Sequence, residues 1–395
     1  MKLAFNHEEE AFREEVRSFF NTALTPELRE AGRKMTSVYS DKEVALAWQK
    51  ILLDKGWLVP SWPKEYGGTG WSLTQRYIFA CERARARPPA LSPMGLSMLG
   101  PALLGRGTPQ QKEHYLPRIQ SGQDFWCQGY SEPQAGSDLA ALQCQAVRDG
   151  DHYVLNGTKI WTTHGHVANR MFCLVRTGRF ERPQQGVSFL LVDMEDPGVR
   201  CEPIRFVSGC ATQCTVYFDN VRVPVEEIVG KENEGWSVTK YLLEFERGGG
   251  AAAPGLFEAI GHARDLLEAL PEADRPEPAR RLDDLEVRVH SLELTELRTL
   301  SETERSGSPG PASSMLKIQG TELSQAISEV AVELIGLYGM PHQPEAYELG
   351  SDVAAIGPTE GVTAVPFYLN NRAATIYAGS NEIQRNIISK AVLGL

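Results

Sequence analysis

Apolar residues recur at helical spacing through the first third of the chain. Phe12, Val16, Phe20 and Leu24 lie four residues apart with Glu and Arg between them, which predicts one amphipathic helix. Similar helical patterns cover residues 41–55, 72–85 and 109–119, and a Pro- and Gly-rich loop lies at 60–70. We therefore expect an N-terminal helical domain, residues 1–125.

The apolar period changes from 3.6 to 2 in the middle of the chain. Residues 153–155 and 159–162 flank Asn156-Gly157, a pair typical of a type I′ turn, so the pattern predicts a β-hairpin. Further strands are predicted at 171–175, 187–192 and 215–223, separated by Gly and Pro. These strands predict a middle β-sandwich or β-barrel domain, residues 126–235.

Helical spacing returns after Gly235. One long run covers residues 236–269, and others cover 279–304, 313–337 and 381–392, joined by Pro- and Gly-containing loops. Such lengths suit an antiparallel four-helix bundle, residues 236–395. The whole chain is thus predicted to be α+β, with helical, β and helical domains in that order.

Composition and charge exclude several classes of protein. The 40 Lys and Arg against 51 Asp and Glu give a net charge of −11, which argues against a nucleic-acid partner. No apolar run approaches the length needed to cross a membrane, and the N-terminus shows no targeting pattern. The seven Cys form no CxxC pair, so we expect reduced thiols, no metal site and a cytoplasmic location.

Three short motifs carry the candidate chemistry. They read YSEPQAGSD at residues 130–138, GTKIWTT at 157–163 and IYAGSNEIQR at 376–385. Any one of them could be an ordinary turn. In this order and spacing, however, they resemble the three signatures of the acyl-CoA dehydrogenase family over nearly the whole chain. The resemblance implies FAD-dependent oxidation of the Cα–Cβ bond of an acyl-CoA thioester.

The resemblance also implies roles for individual residues. Tyr130 and Ser131 would meet the pyrimidine edge of the flavin, Trp161 would flank the ring, and Thr163 would bond near N5. Gly136 and Ser137 would form the turn past which the phosphates of flavin and acyl-CoA run. The full set of expected cofactor contacts is Gln128, Tyr130, Ser131, Gly136, Ser137, Trp161, Thr163, Ser380 and Glu382.

The catalytic base needs a separate argument. In much of the family a Glu follows the Tyr of the third signature, and here that position is Ala378. A minority, resembling isovaleryl- and long-chain-type enzymes, carries the base just before an Arg on the first C-terminal helix, which is Glu246 here. Glu246 shares its helix face with Leu242, and partial burial suits a base. For an arbitrary helical Glu, a surface position beside Arg247 would be the plainer interpretation, but the family layout and the vacancy at Ala378 favour Glu246 as the base.

Other site residues follow from the same resemblance. The backbone N–H of Ala378 would bond the thioester carbonyl as an oxyanion hole does. Ser137, Arg247, Tyr377 and Gly379 are the expected substrate contacts.

The chain departs from the family pattern where a neighbouring subunit would be contacted. Arg281 is present without the Phe-Gly and Gln that normally follow, and Glu333 and Leu337 replace a Gln and a Gly. This half-pattern resembles one subunit of bacterial heteromeric dehydrogenases that act on sterol side chains. We therefore expect a second dehydrogenase-like subunit, with an electron-transferring flavoprotein as acceptor. A homo-oligomer, a flavin monooxygenase or oxidase, and a flavin-free companion subunit remain the alternatives.

Overall fold

The N-terminal region is helical, as predicted. The computed structural model describes residues 5–248, 252–306 and 310–395, with side chains throughout except at 244–248 and 304–306. A reciprocal pair of hydrogen bonds between Asn6 and Glu9 caps the first helix. The helices are α1 (His7–Ala23), α2 (Pro26–Arg33), α3 (Lys42–Lys55), α4 (Leu73–Ala86), α5 (Gly100–Arg106) and α6 (Pro109–Ser121).

The middle region is a seven-stranded sheet. Its order is β1-β4-β2-β3-β7-β6, and β5 pairs with β4. The strands are β1 (Trp126–Gly129), β2 (Gln145–Asp149), β3 (His152–Thr163), β4 (Arg170–Arg176), β5 (Val187–Asp193), β6 (Val199–Ile204) and β7 (Gln213–Pro224).

The predicted hairpin around Asn156-Gly157 is wrong. Both residues lie inside β3, which runs on without turning because β7 pairs along its length, with a register shift between Leu155 and Gly157. Gly157 has φ +147°, and a Cβ there would meet Cys144 at 2.8 Å. The hairpin turn instead follows β2, between Asp149 and His152.

The C-terminal region is again helical. The predicted continuous helix over 236–269 is in fact two helices, because helical backbone ends at Gly248 and begins again at Ala253. The helices are α7 (Gly235–Gly248), α8 (Ala253–Glu268), α9 (Pro276–Ser306), α10 (Ala312–Ile335), α11 (Pro344–Tyr347), α12 (Ala364–Asn371) and α13 (Asn381–Ile388). The predicted order of helical, β and helical regions is confirmed. No helix in the described ranges is long and apolar enough to cross a membrane.

Three apolar clusters show how the regions fit together. Alternate residues of β4 face opposite ways: Phe172 and Leu174 join a core shared with the N-terminal helices and α7, while Met171 and Cys173 pack with the rest of the sheet. A third core lies between α8, α9 and α10. β4 is therefore buried on both faces of the sheet.

Candidate functional site

A buried ion pair joins the first two motifs. Lys159 Nζ lies 2.7 Å from Glu132 Oε1 and donates a hydrogen bond of 3.1 Å to the carbonyl oxygen of Tyr130. Both charged side chains are almost completely buried, at 0% and 2% exposure. The pair fastens the 130–138 loop to β3.

The Glu132 carboxylate also organises the far end of that loop. It accepts hydrogen bonds from the backbone N–H of Gln143 (2.6 Å) and of Cys144 (2.9 Å), and from Gln134 Nε2 (2.8 Å). With Lys159, this carboxylate has four donors, so its buried charge is well compensated. This role of Glu132 was not predicted from the sequence, although Glu132 and Lys159 both lie inside the motifs.

Some groups of the 130–138 loop are exposed or have no hydrogen-bond partner among the described residues. The carbonyl of Ser131 accepts a 2.9 Å bond from Ile160 N–H, whereas the Ser131 N–H donates to no acceptor in the described parts of the chain. Gly136 and Ser137 are exposed, and a Cβ built at Gly136 would meet nothing within 4 Å. Gln128 is half-buried in β1, two residues before Tyr130.

Trp161 is turned outward by an irregularity in β3. It has φ +60°, and the register with β7 shifts between Lys159 and Thr162. A bulge of this kind re-aims a side chain. The indole is 54% exposed and stacks on Phe206, with ring centroids 6.1 Å apart at 25°. Large aromatic residues seldom take this backbone conformation or this exposure, and such strain concentrates at functional sites.

Three rings outside the three motifs lie next to this strand end, those of His164, Tyr39 and Phe125. His164 is buried, with φ +61°, and its ring lies 5.5 Å from the rings of Tyr39 and of Phe125. Burial lowers the pKa of His164 to about 4, so the imidazole is neutral at physiological pH. The neighbouring Thr163 is also buried, and so is Thr162, whose hydroxyl has no hydrogen-bond partner among the described residues.

Tyr39 connects this strand end to the third motif. Desolvation of the Tyr377 hydroxyl, with a smaller contribution from the Tyr39 phenol, raises the pKa of Tyr377 to about 12, although the side chain as a whole is 42% exposed. Tyr39, of the N-terminal region, thus contacts the ring of His164 next to β3 and also acts electrostatically on Tyr377. No local sequence signal could have indicated Tyr39, because the contact joins distant parts of the chain.

The backbone after Tyr377 is left-handed at two consecutive residues. Ala378 has φ +56° and Gly379 φ +77°, and the buried Gln384 Nε2 donates a 3.0 Å bond to the Gly379 carbonyl. The Ala378 N–H finds no acceptor within the described ranges. A left-handed Ala is costly, so the surrounding structure must enforce this conformation.

Ser380 and Glu382 lie at the start of α13. The Ser380 hydroxyl caps the helix by accepting a bond from Ile383 N–H at 3.4 Å. Glu382 is exposed, and hydrogen bonds from its own backbone N–H and from Ser380 lower its pKa. Neither residue forms a hydrogen bond or an ion pair with the 130–138 loop among the described residues.

The proposed base lies on α7. The backbone of Glu246 and Arg247 is helical, but their side chains lie outside the described residues. Leu242, one turn earlier, is completely buried in the core shared with the N-terminal helices. Position 246 lies one helical turn after Leu242 on α7.

Arg281 and Glu333 form an ion pair between α9 and α10. Arg281 Nη2 lies 3.3 Å from Glu333 Oε1, and a second contact joins the same two groups. Unlike the buried pair, these side chains are 34% and 51% exposed. The cation that the family would offer to a neighbouring subunit is thus already paired within the chain.

Comparison with known proteins decides the family. Three models of acyl-CoA dehydrogenase domains match the chain: the N-terminal domain at residues 6–123, the middle domain at 127–221 and the C-terminal domain at 233–393. Acyl-CoA dehydrogenase IpdE1 of Mycobacterium tuberculosis is 37% identical over 357 residues, covering 88% of this chain and 87% of that protein. The chain belongs to the acyl-CoA dehydrogenase family.

Solved structures of acyl-CoA dehydrogenases agree with this assignment. The Tcur3481-Tcur3483 steroid ACAD superposes with a TM-score of 0.84 at 29% identity, over 100% of this chain and 99% of that one. The ChsE4-ChsE5 complex from Mycobacterium tuberculosis gives 0.82 at 30% identity, with the same coverage. The chain is therefore an oxidoreductase of the acyl-CoA dehydrogenase type, and the family resemblance drawn from its motifs is confirmed.

Proposed function

We propose that the chain catalyses FAD-dependent α,β-dehydrogenation of an acyl-CoA thioester, giving the trans-2-enoyl-CoA. Glu246 would remove the proton from Cα. Bound FAD would supply the acceptor for the hydride that leaves Cβ. The observation that carries the proposal is the set of open backbone and side-chain groups on the 130–138 loop, the end of β3 and the Ala378 turn.

The residues present fit a flavin. Its pyrimidine edge needs donors, and the Ser131 N–H is a donor with no acceptor among the described residues. Gly136 leaves room for a phosphate to approach the backbone, and Trp161 offers an exposed aromatic face. Thr163 would supply a hydroxyl near N5. Gln128, Tyr130, Ser137, Ser380 and Glu382 complete the proposed cofactor contacts.

The thioester carbonyl would be held at the Ala378 turn. Its N–H donates to nothing in the described structure, and the backbone at Ala378 and Gly379 is left-handed. A fixed donor stabilises the negative charge that develops on the carbonyl oxygen when Cα loses its proton. Tyr377, Gly379, Ser137 and Arg247 would contact the rest of the substrate.

The base assignment is tested by replacing Glu246. Glu246→Gln keeps the size of the side chain but removes its ability to accept a proton, so turnover should fall about a hundredfold or more. FAD content should stay unchanged. The assay follows reduction of a one-electron dye by a panel of acyl-CoA substrates.

Glu244→Gln is the matched control, two residues away on the same helix. It should retain near-normal turnover. If Glu246→Gln retained activity and Glu244→Gln lost it, the base would be Glu244. Rapid peroxide formation by the wild type in air would instead indicate the oxidase or monooxygenase alternative.

We further propose that the active assembly contains a second, related subunit. Arg281 is held by Glu333, and the exposed apolar residues Leu337 and Met340 lie just beyond α10, at 86% and 80% exposure. A paired cation attracts a neighbour's cofactor phosphates poorly, whereas exposed apolar side chains favour contact with another protein. The similarity to the ChsE4-ChsE5 complex supports this arrangement.

The partner proposal predicts a difference in FAD content. Expressed alone, the chain should carry well under one FAD per chain; co-expressed with an adjacent dehydrogenase-like gene, it should be yellow and active. The measurements are the FAD-to-chain ratio and the mass in solution. One FAD per chain in an active homo-oligomer would contradict the proposal.

The substrate and electron acceptor complete the proposal. The likeness to a steroid ACAD supports a bulky acyl group, so a ring-bearing acyl-CoA should be oxidised faster than a straight short-chain one. An electron-transferring flavoprotein would take the electrons from the enzyme. Faster oxidation of short straight chains would overturn the assignment of a bulky substrate.

A further inference from the structure

The buried Lys159 ammonium holds one particular peptide unit. It donates to the carbonyl of Tyr130, and the N–H of the same peptide, on Ser131, is the open donor described above. One end of this peptide is therefore fixed by a buried cation, while its other end finds no acceptor in the described parts of the chain. The carbonyl of the next peptide is held by Ile160 N–H, so the peptide cannot rotate freely.

We propose that Lys159 is a positioning residue for the flavin, acting through the peptide that joins Tyr130 to Ser131. This inference rests on the proposed function. A cation at the carbonyl draws electron density along the peptide and makes its N–H a stronger donor, as in other linked hydrogen bonds. Glu132 holds the ammonium in place, and its own bonds to Gln143 and Cys144 hold the loop.

A purely structural role explains the pair less well. Buried ion pairs are often no more stabilising than apolar residues of similar volume, so stability alone gives little reason for one here. The ammonium also joins the two motifs that carry the proposed flavin contacts. The ammonium binds the carbonyl oxygen of Tyr130, and the N–H of the same peptide has no acceptor among the described residues. The cation would therefore influence any ligand that accepts a hydrogen bond from the Ser131 N–H.

That consequence is a change in reduction potential. FAD gains negative charge at its pyrimidine edge on two-electron reduction, and a strengthened donor there favours the reduced state. Loss of the ammonium should lower the potential. We expect about a tenfold shift in the oxidised-to-reduced equilibrium, which is about 30 mV for a two-electron couple.

The test uses the flavin-loaded assembly and two variants of the pair. Lys159→Met removes the cation but leaves the Glu132 charge buried, so it risks misfolding. The double variant Lys159→Met, Glu132→Gln removes both charges and keeps an acceptor for the loop N–H groups. Potentials are measured by equilibration with a reference dye, alongside the visible absorption spectrum and the FAD dissociation constant.

Arg17→Met is the matched control. It breaks another pair with a buried carboxylate, Arg17–Glu82 at 2.9 Å, between α1 and α4 and away from the motifs. The double variant should show the lowered potential and a shifted flavin spectrum, and Arg17→Met should show neither.

Two results would overturn the inference: a double variant with the wild-type potential and spectrum, or an equal shift in Arg17→Met. A wild-type assembly that takes up FAD but oxidises no acyl-CoA would refute the proposed function instead. The role of Lys159 would still be tested by the reduction potential of the bound FAD.

Discussion

Two ion pairs of the same chemistry lie in very different surroundings. Lys159–Glu132 is buried beneath the 130–138 loop, whereas Arg281–Glu333 lies between α9 and α10 with both side chains partly exposed. In a medium of low dielectric constant, a buried charge needs an opposite charge and hydrogen-bond partners close to it. The buried pair therefore fixes the backbone geometry around it. Water screens the exposed pair, which therefore changes surface charge more than structure.

A third carboxylate, Glu296, is buried but is bound by backbone N–H groups. Glu296 of α9 is 2% exposed and accepts hydrogen bonds from the backbone N–H groups of Ala252 (2.6 Å) and Ala253 (3.3 Å), at the start of α8. Burial raises its pKa to about 7 despite these bonds. Backbone donors thus compensate this buried carboxylate only in part.

The largest effect is expected at the buried pair. Glu132→Ala leaves Lys159 charged and unpaired in the interior and strands the N–H groups of Gln143 and Cys144. The free energy of unfolding should fall by about 3–5 kcal/mol. Chemical denaturation followed by tryptophan fluorescence measures the change. A loss of less than about 1 kcal/mol would mean that burial does not distinguish the two pairs.

A smaller, pH-dependent effect is expected at Glu296. Its folded pKa, about 7, lies above its ordinary value of 4.5, so the native state binds the proton more tightly. The resulting stabilisation is fully present below pH 4.5 and is lost as the pH rises through 7. It amounts to about 3 kcal/mol, from roughly 1.4 kcal/mol per pKa unit.

The test compares thermal midpoints at pH 5 and pH 8. Glu296→Gln should reduce the wild-type difference between the two, because a neutral amide does not titrate. Glu302→Gln is the control, since Glu302 lies on the same helix but is exposed. An unchanged pH dependence in Glu296→Gln would show that this carboxylate titrates normally in the folded protein.

Sequence patterns predicted the fold well where one period dominates a segment. The helices near 41–55 and 109–119 and the strands β4 and β5 follow their patterns closely. The pattern failed at Asn156-Gly157, because pairing with β7 overrides the local turn preference. It also failed at the boundary between α7, which ends at Gly248, and α8, which begins at Ala253, although three consecutive Gly at 248–250 are unfavourable in a helix.

The candidate site was only partly predictable. Motif residues such as Ser131 and Trp161 lie in short contiguous segments, so the sequence indicated them directly. Tyr39 and His164 are distant in sequence and meet only in the folded chain. A Lys on a strand would be expected to face water, but Lys159 is completely buried. Its burial could not be predicted from the strand alone, because its partner Glu132 comes from a loop 27 residues earlier.

The smallest effect is expected at the exposed pair. Arg281→Ala removes one partner of Glu333, but water replaces the lost contact because both groups are partly exposed. The free energy of unfolding should change by about 0–1 kcal/mol, less still at high salt. Glu333→Gln should behave alike, and chemical denaturation at low and high salt measures both. A loss of several kcal/mol from either variant would mean that this pair stabilises the fold as strongly as Lys159–Glu132. The two regions would then not differ in how strongly they hold their charges, and the inference that Arg281 is merely neutralised by Glu333 would fail.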